Sequence, residues 1–499
     1  MNLFYRGNGP RALSRLVVAV ALALPLAACN TDELVAVTDP ERLRPEDLTG
    51  LGAVPALVSG ATRQFVGGYS GFGGDAFLSA SAVLTDEFYY GDTFTTRQAA
   101  DLRALQPPTL GNISDGAYGA LHQARLNARR AYAVVEQFTS PATAAADAVT
   151  QSQLRAIEGY VYVTMSEGWC GNVPFSRIPD TGPIDPNAIE FTAGIGTTAM
   201  NDTAVVRFNE AVARSAANRL AAVGKGRALL NIGRYAEAAA AVAAVPDAYV
   251  FFLEHSTNTS AQNNPISALQ LNGRYGVANL EGADSPTGLN RPDAPTVGGG
   301  FAPPPTTAPG AEGIPFRGLQ DPRVPWQGRP SSGNGCFTAS IRCWLNQNYP
   351  DFDSDVPLAS GVEARLIEAE AAYQAGDFVT MMKRLNDLRA AAATHLARLY
   401  PRQVQVFSTT LAPLVDPGTA VGRRDMIFRE RALWLYNTGH RQGDLRRLIR
   451  NYGVPSAQAF PSGPNFRGGT FGNDVAYPVP FDEENNPLFV RSACKTDQA

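Results

Sequence analysis

Histidine is scarce in this chain. His122, His255, His395 and His440 are scattered, and no HExxH pair is present to hold a catalytic zinc on one helix face. No GxSxG nucleophile elbow occurs, and no Gly-rich loop with a lysine to cradle a phosphate. Adjacent acids such as Glu483-Glu484 do not stand on opposite sides of a scissile bond by virtue of their spacing. The sequence therefore offers no catalytic residue, metal site or cofactor motif. Charge is nearly balanced, with 42 basic against 46 acidic residues and no basic tract, which argues against a nucleic-acid partner. No long apolar run follows residue 29, so nothing there reads as a membrane-spanning helix.

The N-terminus carries a basic leader with Arg6, Arg11 and Arg15, a short apolar run from Leu16 to Leu24, and the sequence Leu26-Ala27-Ala28-Cys29. A basic start, a brief apolar core and small residues at the cut make a secretory signal. The ending resembles the lipobox of bacterial lipoproteins. That resemblance implies cleavage after residue 28 and acylation of Cys29, with several acyl chains, since one alone holds a protein only marginally to a bilayer. Residues 1–28 are then a signal peptide, and 29–48 a lipidated tether. Its acidic start, Asn30-Thr31-Asp32-Glu33, resembles a surface-export signal. Export favours disulfides. Cys336 and Cys343 could close a small loop, leaving Cys170 and Cys494 to each other, although four cysteines allow three pairings.

Residues 49–499 read as mainly α, made of helical pairs with long irregular loops. Tyr118, Leu121, Ala124, Ala128 and Tyr132 share one stripe, as do Leu154, Ile157, Tyr160 and Val161. A hairpin is expected over 204–245, its first stripe running through Val205, Phe208, Ala211, Val212 and Ala216. Its turn at Gly233, followed by Tyr235 and a run of alanines, resembles a tetratricopeptide repeat. A second hairpin is expected over 362–390 with its turn at Gly376-Asp377. Two copies cannot bury their apolar faces alone, so one or two more are expected near 115–166 and 424–450. Residues 255–350 and 453–499 show no helical period, and the first of these is rich in Gly, Pro, Asn, Thr and Ser.

The C-terminal third carries a further pattern. Glu363 to Ala371 with Leu385-Asn386-Asp387-Leu388-Arg389, Arg429-Glu430-Arg431 with Gly439-His440-Arg441 and Asp444-Leu445-Arg446-Arg447, and Tyr477-Pro478-Val479-Pro480 leading to Asn486-Pro487 resemble, in order, motifs of the SusD/RagB family of outer-membrane nutrient-binding lipoproteins. Gly171-Asn172-Val173-Pro174 and Asp321-Pro322-Arg323 add to the likeness, which spans about 150–490. It implies a SusD-like superhelix of tetratricopeptide-like pairs on the cell surface. Such a protein captures an oligosaccharide or peptide and passes it to a SusC-like TonB-dependent transporter. Cys170 and the Pro/Gly-rich 280–350 stretch depart from the pattern.

Glu430, Arg431, Arg441 and Asp444 look superficially like an active site, but charges at two helix ends more often tie those ends together by charge-assisted bonds. The ligand-binding candidates are aromatic, because sugar rings present flat C–H faces. They are Phe88, Tyr89 and Tyr90, which cannot all face one helix stripe, and Trp326 and Trp344 in the loops. Two other readings stand beside this one. A tetratricopeptide scaffold organising envelope proteins would expose a concave groove. A glycan hydrolase would need two facing acids in a cleft.

Overall fold

The computed structural model describes residues 54–499 except 73, 86, 181–187, 280–313, 331–334, 339–342, 464 and 466–468. The signal peptide, Cys29, the tether and the helix-start signals at Asp39-Pro40 and Pro45 lie outside the described residues.

The body is helical. In chain order come α1 (Val54–Tyr69), α2 (Phe77–Leu84), β1 (Phe88–Tyr90), α3 (Thr95–Asp101), α4 (Asp115–Phe138), α5 (Ala144–Gly168), β2 (Val173–Pro174), β3 (Gly194–Ile195), α6 (Thr197–Arg214), α7 (Arg219–Asn231) and α8 (Tyr235–Val242). Then follow β4 (Val250–Leu253), α9 (Pro265–Leu271), β5 (Tyr275–Val277), β6 (Trp326–Gly328), β7 (Trp344–Asn346), β8 (Val356–Ser360), α10 (Gly361–Gln374), α11 (Phe378–Ala390), α12 (Ala392–Leu399), α13 (Ala420–Trp434), α14 (Arg441–Tyr452) and α15 (Ser456–Ala459). Among the described residues no helix is long and apolar enough to cross a membrane. α1 packs on α4, α5 on α6, α7 on α8 and α10 on α11, and neighbouring pairs pack in turn, α8 against α10 among them.

Local chemistry explains these pairs. Asn218, Ser360 and Asp377 cap α7, α10 and α11 by accepting the backbone N–H of Ala221, Glu363 and Thr380. Gly233 and Gly376 take φ of +75° and +74° at the two turns, where a side chain would be strained. The expected stripes of α4 and α5 are buried. The hairpin expected over 204–245 is instead three helices. α6 stops at Arg214, Asn218 restarts the chain, and Ala216 is an exposed connector rather than part of the stripe. The Gly/Pro-rich 255–350 region also holds more order than its composition implies, since Asn264 caps α9 with Pro265 in its first turn. Residues 453–499, though irregular, thread through the core. Phe460, Val475, Tyr477 and Val479 are buried, and a disulfide joins Cys494 to Cys170 at the end of α5 with Cα atoms 5.2 Å apart. His122 is wedged between Tyr118 and Phe175, 4.6 and 5.3 Å away between ring centres, and burial pushes its pKa well below the ordinary value.

Charges are buried where the pairs meet. Asp444 on α14 accepts two bonds of 2.8 Å from Arg431 on α13 and lies 3.0 Å from Arg447. Arg447 grips Glu370 of α10 through two 2.9 Å bonds and reaches Asn231 of α7. Asn231 donates to Glu167 of α5, which also pairs with Arg227. Glu430 faces elsewhere, pairing with Arg323 at 2.6 Å and Arg389 at 2.7 Å. The four charged residues of the C-terminal pattern are thus split: Arg431 and Asp444 tie α13 to α14, Glu430 ties α13 to the Asp321-Pro322-Arg323 turn and α11, and Arg441 is buried at the first residue of α14.

Two predictions follow from this packing. Burial alone would raise the Asp444 pKa, but Arg431 and Arg447 hold it well below the usual carboxylate range. Its contribution is therefore complete above about pH 4 and fades as the pH falls toward its depressed native value. Asp444→Asn should cost about 3–5 kcal/mol at neutral pH, and the gap between wild-type and variant melting midpoints should narrow below about pH 4; a gap independent of pH would contradict the assignment. Gly224 faces Phe208 and Tyr160, and a Cβ there would approach them to 2.4 and 2.8 Å. Gly224→Ala should cost about 1–3 kcal/mol in chemical denaturation.

Candidate functional site

Two of the two-stranded antiparallel sheets among the described residues hold the aromatic residues singled out from the sequence. β1 pairs with β5, setting Phe88 opposite Val277, Tyr89 opposite Gly276 and Tyr90 opposite Tyr275. Gly276 lets the Tyr89 ring lie across β5, since a Cβ there would sit 2.5 Å from the ring. Phe88 stacks on Tyr275 and meets Tyr436 edge-on. Phe88, Tyr89 and Tyr90 are 0, 2 and 1 % exposed, so these rings pack the interior and offer no open face to a ligand. Three successive aromatics do avoid a single helix stripe, but they do so as a strand buried on both sides. β6 pairs with β7, bringing Trp326 and Trp344 within 5.1 Å between ring centres. Trp344 is buried, while Trp326 is half-buried, meets Phe407 at 5.8 Å and donates its indole N–H to the Arg317 carbonyl.

The open aromatic surface lies one step beyond β1. Asp92 turns the chain by accepting the Phe94 backbone N–H at 3.0 Å, and Phe94, 53 % exposed, stands at the start of α3. A second exposed ring, Phe337 at 54 %, comes from the loop closed by the Cys336–Cys343 disulfide. That loop is laid across two glycines. The Phe337 N–H bonds the Gly273 carbonyl at 2.9 Å, and the Thr338 N–H bonds the Gly91 carbonyl at 3.0 Å. A Cβ on Gly91 would strike the Cys336 Sγ at 2.6 Å, and one on Gly273 would strike the Phe337 nitrogen at 2.5 Å. Arg329 fastens the loop from behind by donating to the Gly335 and Leu271 carbonyls.

Between the rings lies Arg274, its guanidinium carbon 4.0 Å from the Phe337 ring centre and 5.6 Å from that of Phe94. Arg97 sits 4.8 Å from the Phe94 ring, binds Asp92 at 2.5 Å and clasps Asp75 through two bonds. Asp75 also accepts the Tyr275 hydroxyl at 2.6 Å. Both carboxylates of the patch thus orient cations. The rings can lie on apolar C–H faces, and the guanidinium can bond oxygen atoms at their edge. A separate groove of about 340 Å³ is lined by Arg129, Arg177, Pro179, Asp180 and Glu190. There Arg129 and Asp180 neutralise each other, and Arg155 covers the neighbouring Tyr132 ring at 3.8 Å.

No family model matches this sequence, and no curated protein does. Solved structures do. A SusD-like carbohydrate binding protein from Bacteroides vulgatus ATCC 8482 superposes with a TM-score of 0.59 at 14% identity, over 90% of this chain and 98% of that one. A laminarin binding SusD-like protein gives 0.55 at 15% identity, over 89% and 99%. Surface glycan-binding protein A from Bacteroides uniformis gives 0.56 at 12% identity, over 89% and 100%. The chain has the SusD-like fold, the mainly helical architecture that its C-terminal motifs imply.

The rings singled out from the sequence lie in β1, β6 and β7, and Phe94, Arg274 and Phe337 are not among them. One signal was available: an aromatic inside a short Cys-closed loop has no core to enter. Replacing both Cys336 and Cys343 with serine should leave the helices intact, cost about 2 kcal/mol by the chain-entropy relation, and speed amide exchange at Phe337 and Thr338. Unchanged protection there would mean that the glycine contacts alone hold the loop.

Proposed function

We propose that this chain is a SusD-family surface lipoprotein that binds a glycan at Phe94, Arg274 and Phe337 and hands it to a SusC-like TonB-dependent transporter. The observation that carries the reading is the pair of exposed phenyl rings beside a guanidinium, on a fold whose solved neighbours include carbohydrate-binding proteins. Sugars bind through weak stacking on such rings together with hydrogen bonds to hydroxyls. Trp326, with Phe407 beside it, is a separate secondary contact in this reading. Lipid on Cys29 would hold the body at the outer membrane, with residues 29–48 as its tether and 49–499 as the binding domain. The fold's neighbours are binding proteins, and the chain is proposed to bind without catalysing a reaction. A peptide ligand is the competing outcome of the test.

The mature chain should bind oligosaccharides on a glycan array and in calorimetry. Phe94→Ala and Phe337→Ala should each weaken that binding roughly tenfold, the loss expected for removing one ring from an apolar contact, with unchanged melting. Binding of peptides alone, or glycan binding untouched by both substitutions, would overturn the reading. Cys29→Ser should abolish incorporation of labelled fatty acid in cells.

A further inference from the structure

Arg274 differs from the other arginines of its neighbourhood. Arg97 is saturated by Asp75 and Asp92. Arg329 spends its donors on the Gly335 and Leu271 carbonyls. Arg274 makes one contact with a carboxylate, a long one of 3.4 Å from Nη1 to Asp92, whose shorter 2.5 Å partner is Arg97. Its Nε and Nη2 have no hydrogen-bond partner among the described residues, and its side chain is 22% exposed. Among the described residues the cluster sets the guanidinium groups of Arg97, Arg274 and Arg329 against the carboxylates of Asp75 and Asp92, one cation in excess.

The position of Arg274, its guanidinium carbon 4.0 Å over the Phe337 ring centre, adds a direction to that charge. A guanidinium stacked on an aromatic face spends the flat side of its π-system there and keeps its in-plane N–H donors free. Those donors form a fork that matches the two oxygens of a carboxylate. Neutral hydroxyls could bond the same donors, but they would leave the charge uncompensated. A pyranose bearing a carboxylate would satisfy both demands at once, its C–H face on Phe94 or Phe337 and its acid group on Arg274. Resting on the glycan-binding reading above, we infer that the saccharide this patch selects is an acidic one whose sugar carboxylate is received by Arg274.

The test uses the mature chain and oligogalacturonate, with the carboxyl-reduced form of the same oligomer as its neutral match. Calorimetry should find the acid oligomer bound at least about tenfold more tightly than the reduced one, the difference expected of a charge-assisted bond. That preference should shrink as salt rises from about 50 to 500 mM, which shortens the screening length. Arg274→Gln should erase the preference, and Arg274→Lys, which keeps the charge without the fork, should restore part of it. The inference falls if both oligomers bind equally and Arg274→Gln changes nothing while Phe94→Ala still weakens binding; glycan binding would then stand without it. It falls also if only sulfated oligosaccharides bind. If no saccharide of either kind binds, while Arg274→Gln folds normally, the glycan reading itself fails and takes the inference with it.

Discussion

The fold depends on charge placed where water cannot reach. Glu167, Arg227, Glu370, Arg431, Asp444 and Arg447 are all nearly inaccessible, yet they join α5, α7, α10, α13 and α14 in one connected set of bonds. Such a set is a poor source of net stability, because desolvating each ion costs several kcal/mol before any pairing returns it. What it supplies is register. An apolar helix face tolerates rotation and sliding by a fraction of a turn. A carboxylate that must meet two guanidinium groups tolerates neither, since any slip leaves a bare charge inside. The helices so joined lie far apart in sequence, from Glu167 to Arg447, which is the separation over which apolar periodicity specifies least.

This explains why the C-terminal motifs are so legible. Residues such as Arg431, Asp444 and Arg447 cannot be exchanged one at a time without leaving a partner unpaired, so they form a pattern readable in one sequence. The turns are legible for a related reason: Gly233 and Gly376 adopt positive φ, and few residues do so without strain. The helix boundary at Arg214 was not, because Ala216 is apolar enough to continue a stripe and only the cap at Asn218 breaks it. Nor was the splitting of Glu430 from Arg431, since adjacent residues on a helix point some hundred degrees apart and their partners lie in segments the sequence does not align.

The site was legible by neighbourhood and not by side chain. Aromatic clusters mark both deep packing and ligand contact, and the sequence around Phe88-Tyr89-Tyr90 does not say which. The deciding fact is tertiary: β5 covers one side of β1, and Tyr436 from the end of α13 closes on Phe88. Once that strand is interior, the chain can show an aromatic only after it leaves the sheet, as it does at Phe94. Phe337 follows the same logic from the other direction, carried outward on a loop too short to fold back.

Frame and site are thus held by different means, and that difference bears on how such a fold diverges. The helical frame is fixed by buried pairs that resist substitution. The ring-bearing segments are fixed mainly by backbone bonds, to the carbonyls of Gly91 and Gly273, and by one local disulfide. Backbone bonds constrain the path of a loop without constraining its outward side chains. Phe94, Arg274 and Phe337 could therefore be exchanged for other residues at little cost to the frame. Solved structures that share 12–15% identity with this chain superpose over about nine-tenths of it, so the frame persists where most side chains differ. In the ring-bearing segments the backbone is held and the identity of the outward side chains is not.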